Sequence, residues 1–367
     1  MLTQWIDSVP AWALGLRACN AKFGGNIITA GIPEMSKRLL AIKKFSRKLG
    51  LKGDEELRSS GHILHEVNTD SRAYRKYNSP DAISFNRLKA GIRTGEYPKW
   101  VAFTAPQFGF PGAERGGMIS KIPDDCEMAR DLHIEAIERS QELEQAGLGA
   151  GVSIWWPAWT ARKVDDPTCP PMEFQEAWDK MLNFWVDVLK TTGGTMWLEW
   201  KPGDPGIDYL MTLQLAIKFC RCVNAALGRN AMYINNEFAH ILLSGISVAM
   251  GMRMTVNAGL FYKFVHANSG QKLPVSIETQ LTKPGTISEK IMIGTDWDWA
   301  VGVGGPETWA DQEKAIGVMD KAGQQVIYCE HDVNPAGRDP LKVFELSIRN
   351  RQMMLKNERL PLAGPVK

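Results

Sequence analysis

Gly193-Gly194-Thr195-Met196-Trp197-Leu198-Glu199-Trp200-Lys201-Pro202 is the stretch from which the fold can be read. The two glycines break an amphipathic segment that runs over about 171–191, since glycine readily takes the left-handed backbone that ends a helix. Thr195–Trp200 then reads as a short strand. It hands over to a loop through a carboxylate, Glu199, and an amine, Lys201. Helix, glycine break, short apolar strand and charged strand end is the grammar of a βα unit.

The same alternation extends outward in both directions. Strand-like runs lie near 11–16, 61–66, 100–104, 151–156, 195–200, 231–236, 262–267 and 325–332. Helix-like segments lie near 33–49, 80–91, 124–146, 171–191, 207–227, 240–250, 307–322 and 340–357. Asp124 or Asp125 is suited to N-cap the helix that ends at Gly147, and Pro170 and Pro171 suit the start of the next. Such alternation predicts an α/β protein with a parallel sheet. Eight strands with eight following helices close most naturally as a single (β/α)8 TIM barrel over residues 1–367. A barrel takes roughly 250 residues or more, so 367 leaves room for long loops. Two are expected, near 109–123 and 272–290, both rich in glycine, proline and polar residues.

Composition narrows the function classes. A formal net charge of +2 gives no global pull toward nucleic acid or an acidic membrane. The basic run Lys37 to Lys52 has helical spacing and reads as a wet helix face. No apolar run approaches the roughly 18 residues of a membrane span, and no secretory signal is evident. The six cysteines, Cys19, Cys126, Cys169, Cys220, Cys222 and Cys329, form no paired CxxC motifs, so a zinc ribbon is not expected. Reduced thiols in a cytoplasmic protein are the expectation.

Chemistry-bearing residues recur where strands end. Beside Glu199 and Lys201 stand Asn235-Asn236-Glu237 followed by His240, His266-Ala267-Asn268, Asp296-Trp297-Asp298, and Glu330-His331-Asp332. A single such group is usually a solvated loop residue or a cap. Four consecutive strand ends converging on one barrel mouth are not easily chance. Carboxylates with one or two imidazoles suit Mg²⁺, Mn²⁺ or Co²⁺ better than structural zinc.

These motifs, taken in order, resemble the xylose isomerase family of two-metal sugar isomerases over about residues 61–357. Leu198-Glu-Trp-Lys-Pro-Gly-Asp-Pro-Gly is similar to its E-P-K-P-N-E-P-R-G segment, and Asn235-Asn-Glu-Phe-Ala-His to its N-P-E-x-x-H. Phe264-Val-His-Ala-Asn-Ser-Gly-Gln resembles F-H-I-D-L-N-G-Q, and Val152-Ser-Ile-Trp-Trp-Pro the strand that carries a pocket tryptophan. The resemblance implies an aldose–ketose isomerase that moves a hydrogen between C1 and C2 of an open-chain monosaccharide. It implies two divalent ions, Mn²⁺, Mg²⁺ or Co²⁺. Glu199, Glu237, Asp332 and either Asn268 or His266 would hold the first, and Glu237, His240, Asp296 and Asp298 the second. Lys201 would be the catalytic lysine and His65 the residue that helps open the sugar ring. Trp156, Phe103, Trp12 and Trp297 would wall the sugar, and a homo-oligomer, dimer or tetramer, is expected.

The pattern also departs from the family. Asn268 stands for an aspartate, Asn334 for a lysine and Asn68 for a carboxylate, and the stretch from Gln271 to Asp296 is far longer. These departures keep open a one-metal sugar epimerase or lyase, which would need a pair of carboxylates and not Asp296 and Asp298. A non-catalytic sugar-binding barrel is a further alternative, to which the retained Lys201 and metal ligands run counter.

Overall fold

The protein is seen in a computed structural model that describes residues 2–15, 32, 34–63, 66–67, 81–105, 112, 115–157, 172–202, 209–270, 272–276, 290–294, 299–333 and 339–359. Eight strands pair in parallel: β1 (Gln4–Pro10), β2 (Arg58–His62), β3 (Trp100–Ala105), β4 (Gly149–Trp155), β5 (Met196–Leu198), β6 (Met232–Ile234), β7 (Phe264–His266) and β10 (Val326–Glu330). Their order is β6-β5-β4-β3-β2-β1-β10-β7. The ladder is therefore missing between β6 and β7. A single parallel bridge, Glu237 to His266, and the bond from Ile234 N–H to Leu260 O cross that seam.

Helices follow the strands: α1 (Ala11–Gly15), α2 (Met35–Lys48), α3 (Phe85–Arg93), α4 (Pro123–Gln145), α5 (Phe174–Thr192), α6 (Leu213–Leu227), α7 (Phe238–Leu243), α8 (Val248–Asn257), α9 (Pro306–Asp320) and α10 (Pro340–Arg359). The predicted break at Gly193 is present, with φ of 63° closing α5. Among the described residues no helix is long and apolar enough to cross a membrane.

Four expectations need correction. The first strand is Gln4–Pro10, not 11–16, and residues 11–15 form a helix. Asp7 made that run look unlike a core strand, but its charge is met by Arg351, 344 positions away. The cap of α4 is Ile122 with Pro123 at the first turn, while Asp125 accepts hydrogen bonds from Ser120 and Arg115. The helix near 240–250 is two helices, α7 and α8, separated at Gly245, where φ is 80°. The expected loop near 272–290 contains a strand, β8 (Lys272–Ser276), paired antiparallel with β9 (Lys290–Gly294). Pro170 and Pro171 lie outside the described residues.

Alternation along the strands sorts the side chains into two layers. Trp197 and Phe264 pack inside the ring with Val152 and Ile154. Met196, Leu198 and Trp200 face outward into a large helix-packed core with Trp155, Trp185 and Phe219. On β2 and β3 the outer layer meets α2 and α3 through Phe103, Phe85, Leu88 and Leu39. The register is what delivers polar residues to the mouth. Continuing the inward parity of Trp197 gives Glu199 and Lys201, and continuing that of Phe264 gives His266 and Asn268.

Candidate metal centre

His266 is the hub. Its Nδ1 lies 2.9 Å from Glu199 Oε2, 3.6 Å from Asp332 Oδ2 and 3.8 Å from Glu237 Oε2. Its Nε2 lies 3.3 Å from Glu330 Oε1. His240, in the first turn of α7, sets Nε2 3.3 Å from Glu237 Oε2. Donor atoms of Glu199, Glu237 and His266 all lie within 4.8 Å of one another. These groups line one cavity of about 210 Å³, together with Lys201, Trp156 and Trp12. Lys201 Nζ stands 5.4 Å from the centre of the Trp156 ring.

The seam between β6 and β7 is closed by a side chain. Asn235 Oδ1 accepts the His266 backbone N–H at 3.1 Å, and Asn235 Nδ2 donates to Glu199 Oε2 at 2.8 Å. One amide thus replaces a missing ladder bond and aligns a carboxylate. Asn268 is engaged in the same way: it donates to Glu237 Oε1 at 2.6 Å and accepts from Ala239 N–H at 2.8 Å. With its carbonyl and amine both committed, it orients Glu237 and is not among the residues lining the cavity.

Electrostatics follow from packing. Burial disfavours the charge on His266, yet the Glu199 carboxylate and hydrogen bonds to Glu199, Glu237 and Glu330 hold its pKa well above the ordinary value. Burial raises Glu199, but the charge and hydrogen bond of His266 and the charge of His240 bring it down to about 2. Burial pushes Asp332 well above the usual carboxylate range; His266 pulls it back, and Glu237, Glu199 and Glu330 push it up further. Four carboxyl groups thus crowd the His266 imidazole, with the His240 ring beside Glu237. Asp332 Oδ1 is buried without a hydrogen-bond partner among the described residues. An oxygen-rich donor set of this kind fits a divalent cation.

Glu199, Glu237, His240, His266, Asp332, Lys201, Trp156 and Trp12 are therefore brought together as the sequence led us to expect. Phe103 is not: it is fully buried in the outer layer, and its neighbour Thr104 lines the cavity instead. A one-residue step along a strand reverses the face. His65, Asp296, Trp297 and Asp298 lie outside the described residues, as do Asn68 and Asn334. Sequence reasoning placed Glu330 and Asn235 at strand ends without giving them a role, and it missed Ser60 and His62. Glu330 shares the parity of Asp332, two residues on, which was the available signal.

No protein-family model matches the sequence, and no curated protein matches it. Solved structures do match in fold. An L-ribulose 3-epimerase superposes with a TM-score of 0.58 at 12% identity, over 98% of this chain and 96% of that one. A 3-keto-D-glucoside 4-epimerase from E. coli gives 0.54 at 12% identity, over 96% and 100%. A xylose isomerase-like TIM barrel protein from Mycobacterium smegmatis, in complex with magnesium, gives 0.52 at 15% identity, over 98% of both chains. The chain is similar to these structures in its fold.

Proposed function

We propose that the chain is a metal-dependent sugar epimerase that inverts a carbon next to the carbonyl of a monosaccharide. The observation that carries this reading is the pair of carboxylates, Glu199 and Glu330, set against the two opposite nitrogens of His266 at 2.9 and 3.3 Å. Inversion needs a proton to leave one face of a carbon and return on the other, hence two acid–base groups on either side of the substrate. In this reading Glu199, after β5, and Glu330, at the end of β10, would be that pair. Among the described residues Glu199, Glu237 and His266 already bring three donor atoms within 4.8 Å of one another, as a one-ion site needs.

Glu199, Glu237 and His266, with Asp332 beside them, would hold the ion; when bound, a divalent cation would polarise the sugar carbonyl as a Lewis acid. Asn235 and Asn268 keep Glu199 and Glu237 aimed into the cavity. Trp156 and Trp12 offer apolar faces to the C–H side of a sugar and exclude water. Lys201 is positioned to hydrogen-bond a substrate oxygen, where its charge stabilises negative charge developing on it. At about 210 Å³ the cavity is smaller than the roughly 300–1,000 Å³ typical of drug-sized ligands, which suits one sugar unit. Four of the matched structures are named as sugar epimerases.

Turnover of D-fructose with Mn²⁺ in D₂O tests the proposal. The expected product is an epimeric ketose carrying deuterium at the inverted carbon. An aldose with little deuterium at C1 or C2 would instead establish the isomerase reading, which the shared face of Glu199 and Lys201 favours.

A further inference from the structure

Among the described residues, the ion-facing donors occupy one side of the mouth. In the ring β6-β5-β4-β3-β2-β1-β10-β7, β2 stands diametrically across from β6, and β3 across from β7. The wall opposite Glu237 and His266 is thus made by Ser60 and His62 of β2 and Thr104 of β3, all of which line the cavity. His62 and Thr104 are register partners. The His62 ring is held in place by Glu66, whose Oε2 lies 3.1 Å from Nδ1 and accepts the His62 backbone N–H at 2.7 Å.

Of the three residues of this wall, Ser60 is the one whose side chain the fold does not explain. The residue is 2% exposed, and its hydroxyl has no hydrogen-bond partner among the described residues. The adjacent Ser59, on the other face of β2, donates to Val9 O at 3.2 Å and is accounted for within the wall. A buried hydroxyl without a partner is destabilising, and alanine would fit the same space at no such cost. Ser60 shares the strand face of His62 and lines the cavity, so a partner can approach it from there.

We infer that Ser60 is a specificity-determining residue. Its hydroxyl, flanked by Thr104 and His62, hydrogen-bonds a hydroxyl group at the end of the substrate remote from the reacting carbon. The substrate class is then a hydroxylated chain that reaches across the mouth, and an analogue lacking that distal hydroxyl is rejected because it leaves Ser60 unpaired. This rests on the sugar reading above, but occupancy of the wall can be measured without turnover.

The test pairs a binding measurement with a kinetic one on the Mn²⁺-loaded protein. Calorimetric titration with D-glucitol, an unreactive polyol, is expected to show binding that Ser60→Ala weakens about tenfold, with Mn²⁺ affinity unchanged. The Tm of Ser60→Ala should equal or exceed that of the parent. In kinetics, the preference for D-fructose over 6-deoxy-D-fructose should shrink in the variant through KM, with kcat little altered. No D-glucitol binding to the parent, equal binding to both proteins, or a lowered Tm in the variant would each overturn the inference. Failure of the parent to turn over any ketose would sink the epimerase reading alone, and the titration would still decide the role of Ser60.

Discussion

At the scale of single residues, parity explains most of what the mouth contains. Glu199 and Lys201, Glu330 and Asp332, and His266 and Asn268 are each two apart at a strand end, and two apart on a strand means one face. Parity alone does not say which member of a pair does the work. His266 sits at the hub because its ring reaches carboxylates from β5, β6 and β10 together. His133 shows the opposite case, a histidine far from the chemistry. It lies on α4 packed against Trp185 and Phe184, with ring centroids 4.7 and 5.8 Å away. Burial lowers its pKa to about 3 from the ordinary 6.5. The folded protein therefore keeps His133 neutral where the unfolded chain would bind a proton. Stability should fall as pH drops from about 6.5 toward about 3, by up to about 1.4 kcal/mol per pH unit. Chemical denaturation across that range should show a flatter acid limb for His133→Leu; an unchanged slope would mean the ring is protonated in the folded state.

Elements are tied to one another by a few buried polar links. The last helix, α10, is docked on the outside of β1 and β10 by Arg351, which donates to Asp7 Oδ2 at 2.6 Å and Oδ1 at 2.9 Å. His331 adds a contact to Asp7 Oδ1 at 2.9 Å and reaches Ser347 on α10 at 2.8 Å. Burial opposes the Asp7 charge, but Arg351 and His331 keep its pKa below the ordinary value. Asp7→Asn leaves Arg351 buried with its charge unmet, and should cost about 3–5 kcal/mol. Replacing both, Asp7→Leu with Arg351→Met, should recover most of that loss. A double-mutant cycle by urea unfolding checks this, and additive losses in the pair would rule out the coupling. The same helix shows why β1 is hard to read from sequence: a strand with an aspartate at its centre becomes a core strand only when a residue 344 positions away neutralises it.

For the whole molecule, the open seam is the feature that connects fold to site. The sheet ends at β6 and β7, and Glu237 and His266 face one another across the gap. A cation held by Glu199, Glu237 and His266 would link β5, β6 and β7 and so fasten the ring. Binding to the folded state alone stabilises it by RT ln(1 + [L]/Kd), about 2.7 kcal/mol at a hundredfold excess over Kd. Mn²⁺ should therefore raise Tm, and EDTA reverse it. Hydrogen exchange should show the added protection concentrated in residues 232–237 and 264–268. A Tm indifferent to Mn²⁺ would argue against an ion at this centre.

The sequence by itself determined the alternation of strands and helices, the glycine break before β5, and the convergence of Glu199, Glu237, His266 and Asp332 on one mouth. Those features are local: helix and strand periodicity and strand parity are set by neighbours in the chain. Only the tertiary structure decided the rest. It put Thr104 and not Phe103 in the cavity, because the register of β3 against β2 sets which face looks inward. It joined Asn268 to Glu237 and to the N–H of Ala239, because both stand within reach of its amide. It brought Glu330 to His266 across 64 residues of chain, and it set a buried serine opposite the carboxylates. Each of these depends on which groups from distant strands meet at one height in the barrel, and hydrogen-bond and ion-pair energies fall away within a few ångströms.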